Sequence, residues 1–355
     1  MPTAPPSRPR LVGVDLARGV AVLGMVTAHV GPDGDGLLPW GDLLQLADGR
    51  SAALFVVLAG LGLALLSGGD RLPDGVDLVR ARVRVLVRAV LLVGLGQLLV
   101  LLGTPVVVIL GTYGALFVLG AAALRLPPPA LLAAAAGTAL VGPLLREAFS
   151  PLSTGGASPA TLWDVLVGPY YPAVTWAAYL LVGLALGRTD LRAPGARRRL
   201  AVAGLVLVVV GHGGSWVAER VLGLPTALVT TEPHSSTTAE VVGNTGAALL
   251  VLAGCLVVAA RAPRLVAPVV ATGALSLTAY SGHLVVIAAL GPDAVWEPTT
   301  GTWLALSLGV VAACWAWWAT LGRGPLETVL HRVSVRAADV RPRSEAPARP
   351  PTLGR

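Results

Sequence analysis

Asp15, Arg18 and His29 share one apolar stretch, Leu11 to Val30, and are the residues best placed to do chemistry. An α-helix advances about 100° per residue, so the steps from Arg18 to His29 end roughly 20° past three full turns. Asp15, three residues before Arg18, falls on the same side. One helix face therefore carries a carboxylate, a guanidinium and an imidazole, the last two about 16 Å apart along the axis. An imidazole whose ordinary pKa is about 6.5 accepts a proton at neutral pH, and a guanidinium binds phosphate or carboxylate groups. Polar groups set in hydrocarbon face the bundle interior and a working cavity. The bland alternative is a topology anchor, with Asp15 and Arg18 at the headgroups and His29 at the interface.

Three further constellations follow along the chain. Ser276, Tyr280 and His283 are spaced i, i+4, i+7 and share a helix face. A hydroxyl, a phenol and an imidazole in one stripe suit general acid–base work on an alcohol or amine, or else hydrogen bonds that glue helices together. Glu240 and Asn244 sit i, i+4 just after Pro233-His234-Ser-Ser-Thr-Thr. That carboxylate either orients an acceptor or marks a helix start favoured by the macrodipole. Arg80, Arg84 and Arg88 form an i, i+4, i+8 stripe that could clamp phosphates, with Arg88 deepest, or could serve only to hold topology. Gly183 and Gly187 make a GxxxG, which reads as close helix packing. Cys255 and Cys314 fall in apolar runs with no disulfide framework, and no metal site, P-loop or dinucleotide fingerprint is present.

The elements that must position these residues are membrane helices. The chain has 355 residues, a mean hydropathy of +0.76 and 13% charged residues. Apolar runs approach or exceed the length that crosses a bilayer. The expected fold is all-α, a polytopic transmembrane bundle of about ten spans: 12–30, 50–68, 83–102, 105–124, 129–145, 172–188, 198–217, 239–260, 265–290 and 300–321. All 26 basic residues are arginine. Placing both termini in the cytoplasm puts 23 of them inside and three, Arg50, Arg146 and Arg220, outside, as the positive-inside rule requires. The same placement removes nucleic acid as a partner and leaves the lipid bilayer. Arg18 interrupts the first apolar run, so that run reads as an uncleaved anchor. The expected division is a cytoplasmic segment 1–11, a transmembrane domain 12–330, and a disordered Arg/Pro-rich cytoplasmic tail 331–355. His29, His212 and His283 fall in outer halves of spans, His234 in an outer loop and His331 in the tail.

The spacing Arg18-x10-His29 resembles a motif of the acyltransferase family 3 membrane proteins. Val14-Asp-Leu-Ala-Arg-Gly-Val-Ala-Val-Leu-Gly-Met25 looks like the opening of that family, and equally like that of the heparan-alpha-glucosaminide N-acetyltransferase group and its bacterial relatives. Gly49-Arg-Ser-Ala-Ala-Leu-Phe-Val-Val-Leu-Ala-Gly60, Ser276-Leu-Thr-Ala-Tyr-Ser-Gly-His283 and Arg323-Gly-Pro-Leu-Glu327 are similar to stretches of those relatives. The resemblance implies transfer of an acyl group, acetyl above all, from cytoplasmic acyl-CoA to an outward-facing sugar or glycan at the cell membrane. It implies that Arg18 and His29 handle the donor thioester, with His29 as base. Two departures stand out. The family 3 RxxR is missing from the third span, and the histidine that the eukaryotic acetyltransferase carries in its first outer loop has no counterpart in 31–49.

The leading expectation is thus a membrane O- or N-acyltransferase that uses acyl-CoA as co-substrate and no metal. Its site would hold His29, Arg18, His283 and Tyr280 as catalytic groups, and Asp15, Arg88, Ser276, Glu240 and Asn244 as binding groups. A transporter or flippase for a polar or lipid-linked solute would also place His, Arg and Glu in the membrane, and a catalytically silent scaffold is the third reading.

Overall fold

Long runs of Leu, Val, Ala and Gly can satisfy their backbone in hydrocarbon only by coiling into helices. The computed structural model describes residues 11–32, 41–156 and 159–339, and every regular element among them is helical. The expected segment before residue 11, most of the Gly/Asp-rich first outer loop and the tail from 340 lie outside the described residues. The first helices are α1 (Val12–Val30), α2 (Gly41–Leu44), α3 (Arg50–Leu66), α4 (Gly75–Val100), α5 (Leu110–Ala123) and α6 (Pro128–Phe149). The middle of the chain forms α7 (Leu162–Val167), α8 (Ala173–Gly187), α9 (Ala196–Val208), α10 (Gly214–Arg220) and α11 (Thr226–Val229). A π-helical turn, Val209–Gly213, joins α9 to α10. The rest is α12 (Thr238–Arg261), α13 (Ala267–Ala274), α14 (Ser276–Leu290), α15 (Asp293–Trp296), α16 (Thr300–Leu321) and α17 (Pro325–Ala337).

Seven stretches among the described residues are long and apolar enough to cross a membrane: Val12–Val30, Gln45–Leu66, Gly75–Val100, Pro128–Leu152, Ala196–Arg220, Thr238–Arg261 and Thr300–Leu321. The other three expected spans fall on shorter or broken elements. Those at 105–124 and 172–188 coincide with α5 and α8, which hold only 14 and 15 residues. Helix α8 is sheathed by protein along nearly its whole length, from Ala173 to Gly187. A helix enclosed in that way need not match the hydrocarbon thickness by itself.

The span expected at 265–290 is not one helix. It breaks at Leu275, and α13 meets α14 at 88°. The break exposes the first N–H groups of α14, which have no partner within their own helix. Glu327 of α17 supplies one: its Oε1 accepts from the backbone N–H of Leu277 (2.8 Å) and Thr278 (3.0 Å), and its Oε2 from the Thr278 hydroxyl (2.6 Å). The tail expected to be disordered from 331 is helical through Ala337 instead. Leu326 and Leu330 pack against the core, Ser334 is fully buried, and the Ser334 hydroxyl accepts from Nε of Arg88 at 3.3 Å. A chain with an apolar side to bury does not stay disordered.

Two backbone-to-backbone contacts hold the centre. A Cβ on Gly60 would lie 2.0 Å from the Leu180 carbonyl oxygen, and one on Gly183 would lie 1.9 Å from that of Val57, so α3 and α8 touch where the GxxxG spacing implies. Helix α13 presses on α1 in the same way. A Cβ on Gly273 would meet the Asp15 carbonyl oxygen at 1.7 Å. Arg188, buried just past α8, binds carbonyls at the ends of several segments, with the Gly69 and Leu124 oxygens each at 2.7 Å. Helix C-termini present negative partial charge, which a guanidinium neutralises.

Candidate active site

Helices α1 and α14 bring together two imidazoles that lie 254 residues apart in the chain. His29 Nδ1 is 3.0 Å from His283 Nε2. The rings are within 13° of coplanar and their centroids are 5.3 Å apart, which is the geometry of a head-on hydrogen bond and not of face stacking. His283 is completely buried. Its Nδ1 is buried with no hydrogen-bond partner among the described residues. Of the two nitrogens that face each other, one donates and the other accepts, and the tautomer decides which. In the tautomer in which His29 donates from Nδ1, its own Nε2 keeps a lone pair. Tyr280 meets the His283 ring edge-on at 5.3 Å.

His29 opens onto a cavity of about 340 Å³ at the C-terminal end of α1. Asp48, Tyr170, Tyr171, His234 and Trp296 also line it. His234 comes from the loop before α12, and Glu240 builds that loop. The Glu240 carboxylate accepts from the backbone N–H of His234 (2.9 Å) and Ser236 (2.6 Å) and from the Ser235 hydroxyl (3.1 Å). Asn244 donates to the same carboxylate at 3.3 Å. The Thr237 hydroxyl caps α12 by accepting from the Glu240 N–H, so the helix-start reading of Glu240 holds for its backbone while its side chain serves the loop. Neither Glu240 nor Asn244 lines this cavity. Burial holds the His234 imidazole below its ordinary pKa, partly offset by its bond to the Tyr170 carbonyl. Burial also raises the neighbouring Tyr171 phenol above its usual range.

At the opposite end of α1, Arg18 pairs with Asp15 at 3.2 Å. Arg18 lines two cavities. One, of about 660 Å³, also holds Asp15, Thr189 and Asp190. The other, of about 250 Å³, reaches deeper and holds Arg88, Tyr113, Ser276 and Glu327. The rise along α14 explains why Ser276 belongs here and not with His283: it sits at the first turn, while Tyr280 and His283 lie one and two turns further on. The arginine stripe of α4 is divided as well. Arg88 enters the deep cavity, whereas Arg80 pairs with the exposed Asp77 at 3.5 Å.

Aromatic rings separate the two ends. Phe55 stands 6.0 Å from Tyr113 and 6.4 Å from Tyr280 by ring centroids, between the deep cavity and the histidine pair. On the other side of α14, a groove of about 750 Å³ runs against α16, lined almost wholly by apolar side chains with His283 at its floor. His212 joins neither cavity. It lies on the π-helical turn, where it packs over Gly243.

Sequence reasoning did not single out His234, Asp48, Trp296 or Phe55. For His234 a signal existed: a histidine set between proline and a run of Ser and Thr, six residues before a carboxylate, suits a pinned loop. For Phe55 there was none, since an apolar residue in an apolar run looks like its neighbours, and nothing in the short segment Pro292–Pro298 marks Trp296 as lining a cavity. Residues 10–213 match the family model described as heparan-alpha-glucosaminide N-acetyltransferase, catalytic. No curated protein matches the chain. The matched stretch spans more than half the chain and contains Arg18, His29, Phe55 and Arg88, while His234 and His283 lie beyond it.

Proposed function

The chain belongs to the heparan-alpha-glucosaminide N-acetyltransferase catalytic family, and from that premise we propose that it moves an acetyl group from cytoplasmic acetyl-CoA to an amine or hydroxyl of an outward-facing sugar. The carrying observation is the division of α1. Its Arg18 lines cavities at one end, its His29 lines a separate cavity at the other, and His29 is bonded to His283 between them. A donor confined to one side of a bilayer and an acceptor confined to the other need such a division. In this reading the chain crosses the plasma membrane ten times, with α5, α8 and the α13–α14 pair completing the count. Both termini are cytoplasmic, on the arginine distribution.

Arg18 and Arg88 converge on the deep cavity and suit the phosphates and polar arm of the donor, and Asp15 holds Arg18 in place. Ser276 adds a hydroxyl there. The thioester passes the Phe55–Tyr280 contact to reach His29. The acceptor lies in the outer cavity. His29 Nε2 takes the proton of the acceptor N–H or O–H while that heteroatom attacks the thioester carbonyl carbon. The tetrahedral adduct collapses, the C–S bond breaks, and the coenzyme thiolate takes up the proton from the imidazolium. His283 accepts the Nδ1–H of His29 throughout and so fixes its tautomer. Tyr280 packs against His283 and holds its ring.

The full chain, purified and supplied with radiolabelled acetyl-CoA and glucosamine or a cell-envelope extract, should place label in the sugar. Donor-independent movement of a solute across vesicles, with no label transferred, would assign the chain to the transporter class.

A further inference from the structure

We propose that His234 binds the acceptor, its Nε2 accepting a hydrogen bond from a hydroxyl or amino group of the sugar, and that Glu240 is the positioning residue that sets it there. This rests on reading the outer cavity as the acceptor side. The tautomer follows from one contact. His234 Nδ1 lies 3.0 Å from the carbonyl oxygen of Tyr170. A carbonyl cannot donate, so Nδ1 carries the ring proton, and a neutral imidazole has only one. The lone pair is therefore on Nε2, on a ring that lines the same cavity as His29.

The loop is built to hold that ring. His234 and Ser236 adopt φ of 63° and 57°, the left-handed region that strains a residue with a side chain. Such a backbone persists where its surroundings over-determine it. Here Glu240 accepts three hydrogen bonds from residues 234–236, and Arg146 donates to the Ser235 carbonyl at 3.1 Å. The imidazole is also boxed by rings. Tyr171 meets it edge-on at 5.1 Å, and Trp176 lies parallel to it within 13° at 6.3 Å. A loop histidine without a task needs none of this. Burial keeps the ring below its ordinary pKa, hence neutral and accepting. The rest of the cavity suits a sugar. Trp296, 71% exposed, offers a flat apolar face, and Asp48 adds a carboxylate to the lining.

The test uses the full chain in lipid nanodiscs, with glucosamine as acceptor and acetyl-CoA as donor. His234→Asn is the decisive variant. Asn tolerates positive φ and keeps an N–H near the position of Nδ1 for the Tyr170 carbonyl, but it has nothing where Nε2 was. The acceptor KM should rise about ten-fold, the worth of one hydrogen bond, while the acetyl-CoA KM stays unchanged. His234→Gln, whose amide oxygen reaches the Nε2 position, should recover part of the loss. Glu240→Gln should raise the acceptor KM and shift the His234 ring signals in an NMR spectrum of labelled protein, which a general loss of packing would not do selectively. Calorimetric titration of glucosamine without donor reads the same binding apart from turnover, and it decides the matter should His234→Asn fail to assemble and only His234→Gln be obtained. An unchanged acceptor KM in His234→Asn, or a rise in the donor KM instead, overturns the proposal and leaves the acetyltransferase reading standing. If the wild-type chain neither binds nor acetylates glucosamine, the acceptor reading itself falls and this assignment falls with it.

Discussion

The proposed mechanism gives the two nitrogens of His29 different duties, and each can be tested by its loss. Nε2 faces the outer cavity as the proposed base, so His29→Ala should lower turnover by roughly 10²–10⁴-fold while acetyl-CoA still binds. Arg18→Ala should act on the other substrate, raising the acetyl-CoA Kd in equilibrium dialysis. His283→Ala removes the acceptor for Nδ1–H and leaves Nε2 in place, so its loss of turnover should be the smaller one. A fully active His29→Ala would return α1 to the role of an anchor. The pH dependence belongs to His234, which Glu240, through the loop backbone, and Tyr170, Tyr171, Asp48 and His29 surround. Its folded pKa lies below the ordinary 6.5, so the unfolded chain takes up a proton first as pH falls. Stability is therefore highest above that value and declines as pH drops through it. Acceptor affinity should fall at still lower pH, once the folded ring itself protonates. An acceptor KM that is flat across this range would remove the lone pair from the recognition scheme. Helical spacing was enough to pair Arg18 with His29 on one face. It could not show His29 meeting His283, because period and spacing describe a helix and say nothing about which other helix it faces.

At the scale of elements the informative feature is the break at Leu275. Periodicity read 265–290 as one span because both halves are apolar, and an apolar sequence looks the same on either side of a bend. The bend is sustained by a carboxylate fifty residues downstream, which no local pattern reveals. Removing it in Glu327→Ala leaves the first turn of α14 uncapped, and the expected cost is about 1 kcal/mol, seen as a lower unfolding temperature in detergent. Glu327→Gln keeps an oxygen for the Leu277 and Thr278 N–H groups and should recover most of that loss. If both variants melt like the wild type, α14 is held by packing alone. The α1–α13 contact allows a sharper test. Gly273→Ala would put a methyl group 1.7 Å from the Asp15 carbonyl oxygen, against backbone that cannot swing aside. Assembly should fail or the helices separate, measurable as loss of monodisperse protein on size exclusion. The GxxxG of α8 was legible because small residues four apart have a single common use in membranes. Gly19 and Gly273, on different elements, carry no such mark.

For the whole molecule, everything said about donor and acceptor sides depends on orientation. The proposed orientation rests on the arginine count. Arg188 and Arg192 lie between α8 and α9 and Arg197–Arg199 in the first turn of α9, at the end of α1 where Arg18 lies, while Arg323 lies between α16 and α17 and Arg332 and Arg336 lie on α17. The segments at the His29 end hold Arg50, Arg146 and Arg220, and of these Arg146 is spent on backbone carbonyls of that end, including Ser235 and Pro169. Moving the larger set across a bilayer is what the translocation machinery resists, and the proposed orientation therefore keeps the Arg18 end inside. A reporter active only outside the cell should therefore be active when fused after Gly223, between α10 and α11, and silent after Pro194, between α8 and α9. Both native cysteines are buried, which gives a second route on the intact chain. Leu224→Cys should react with a membrane-impermeant maleimide in whole cells, and Pro194→Cys should react only after lysis. The reverse pattern in both assays would place His29 in the cytoplasm and Arg18 outside, and the acetyl donor would then have to enter from the cavity assigned here to the sugar.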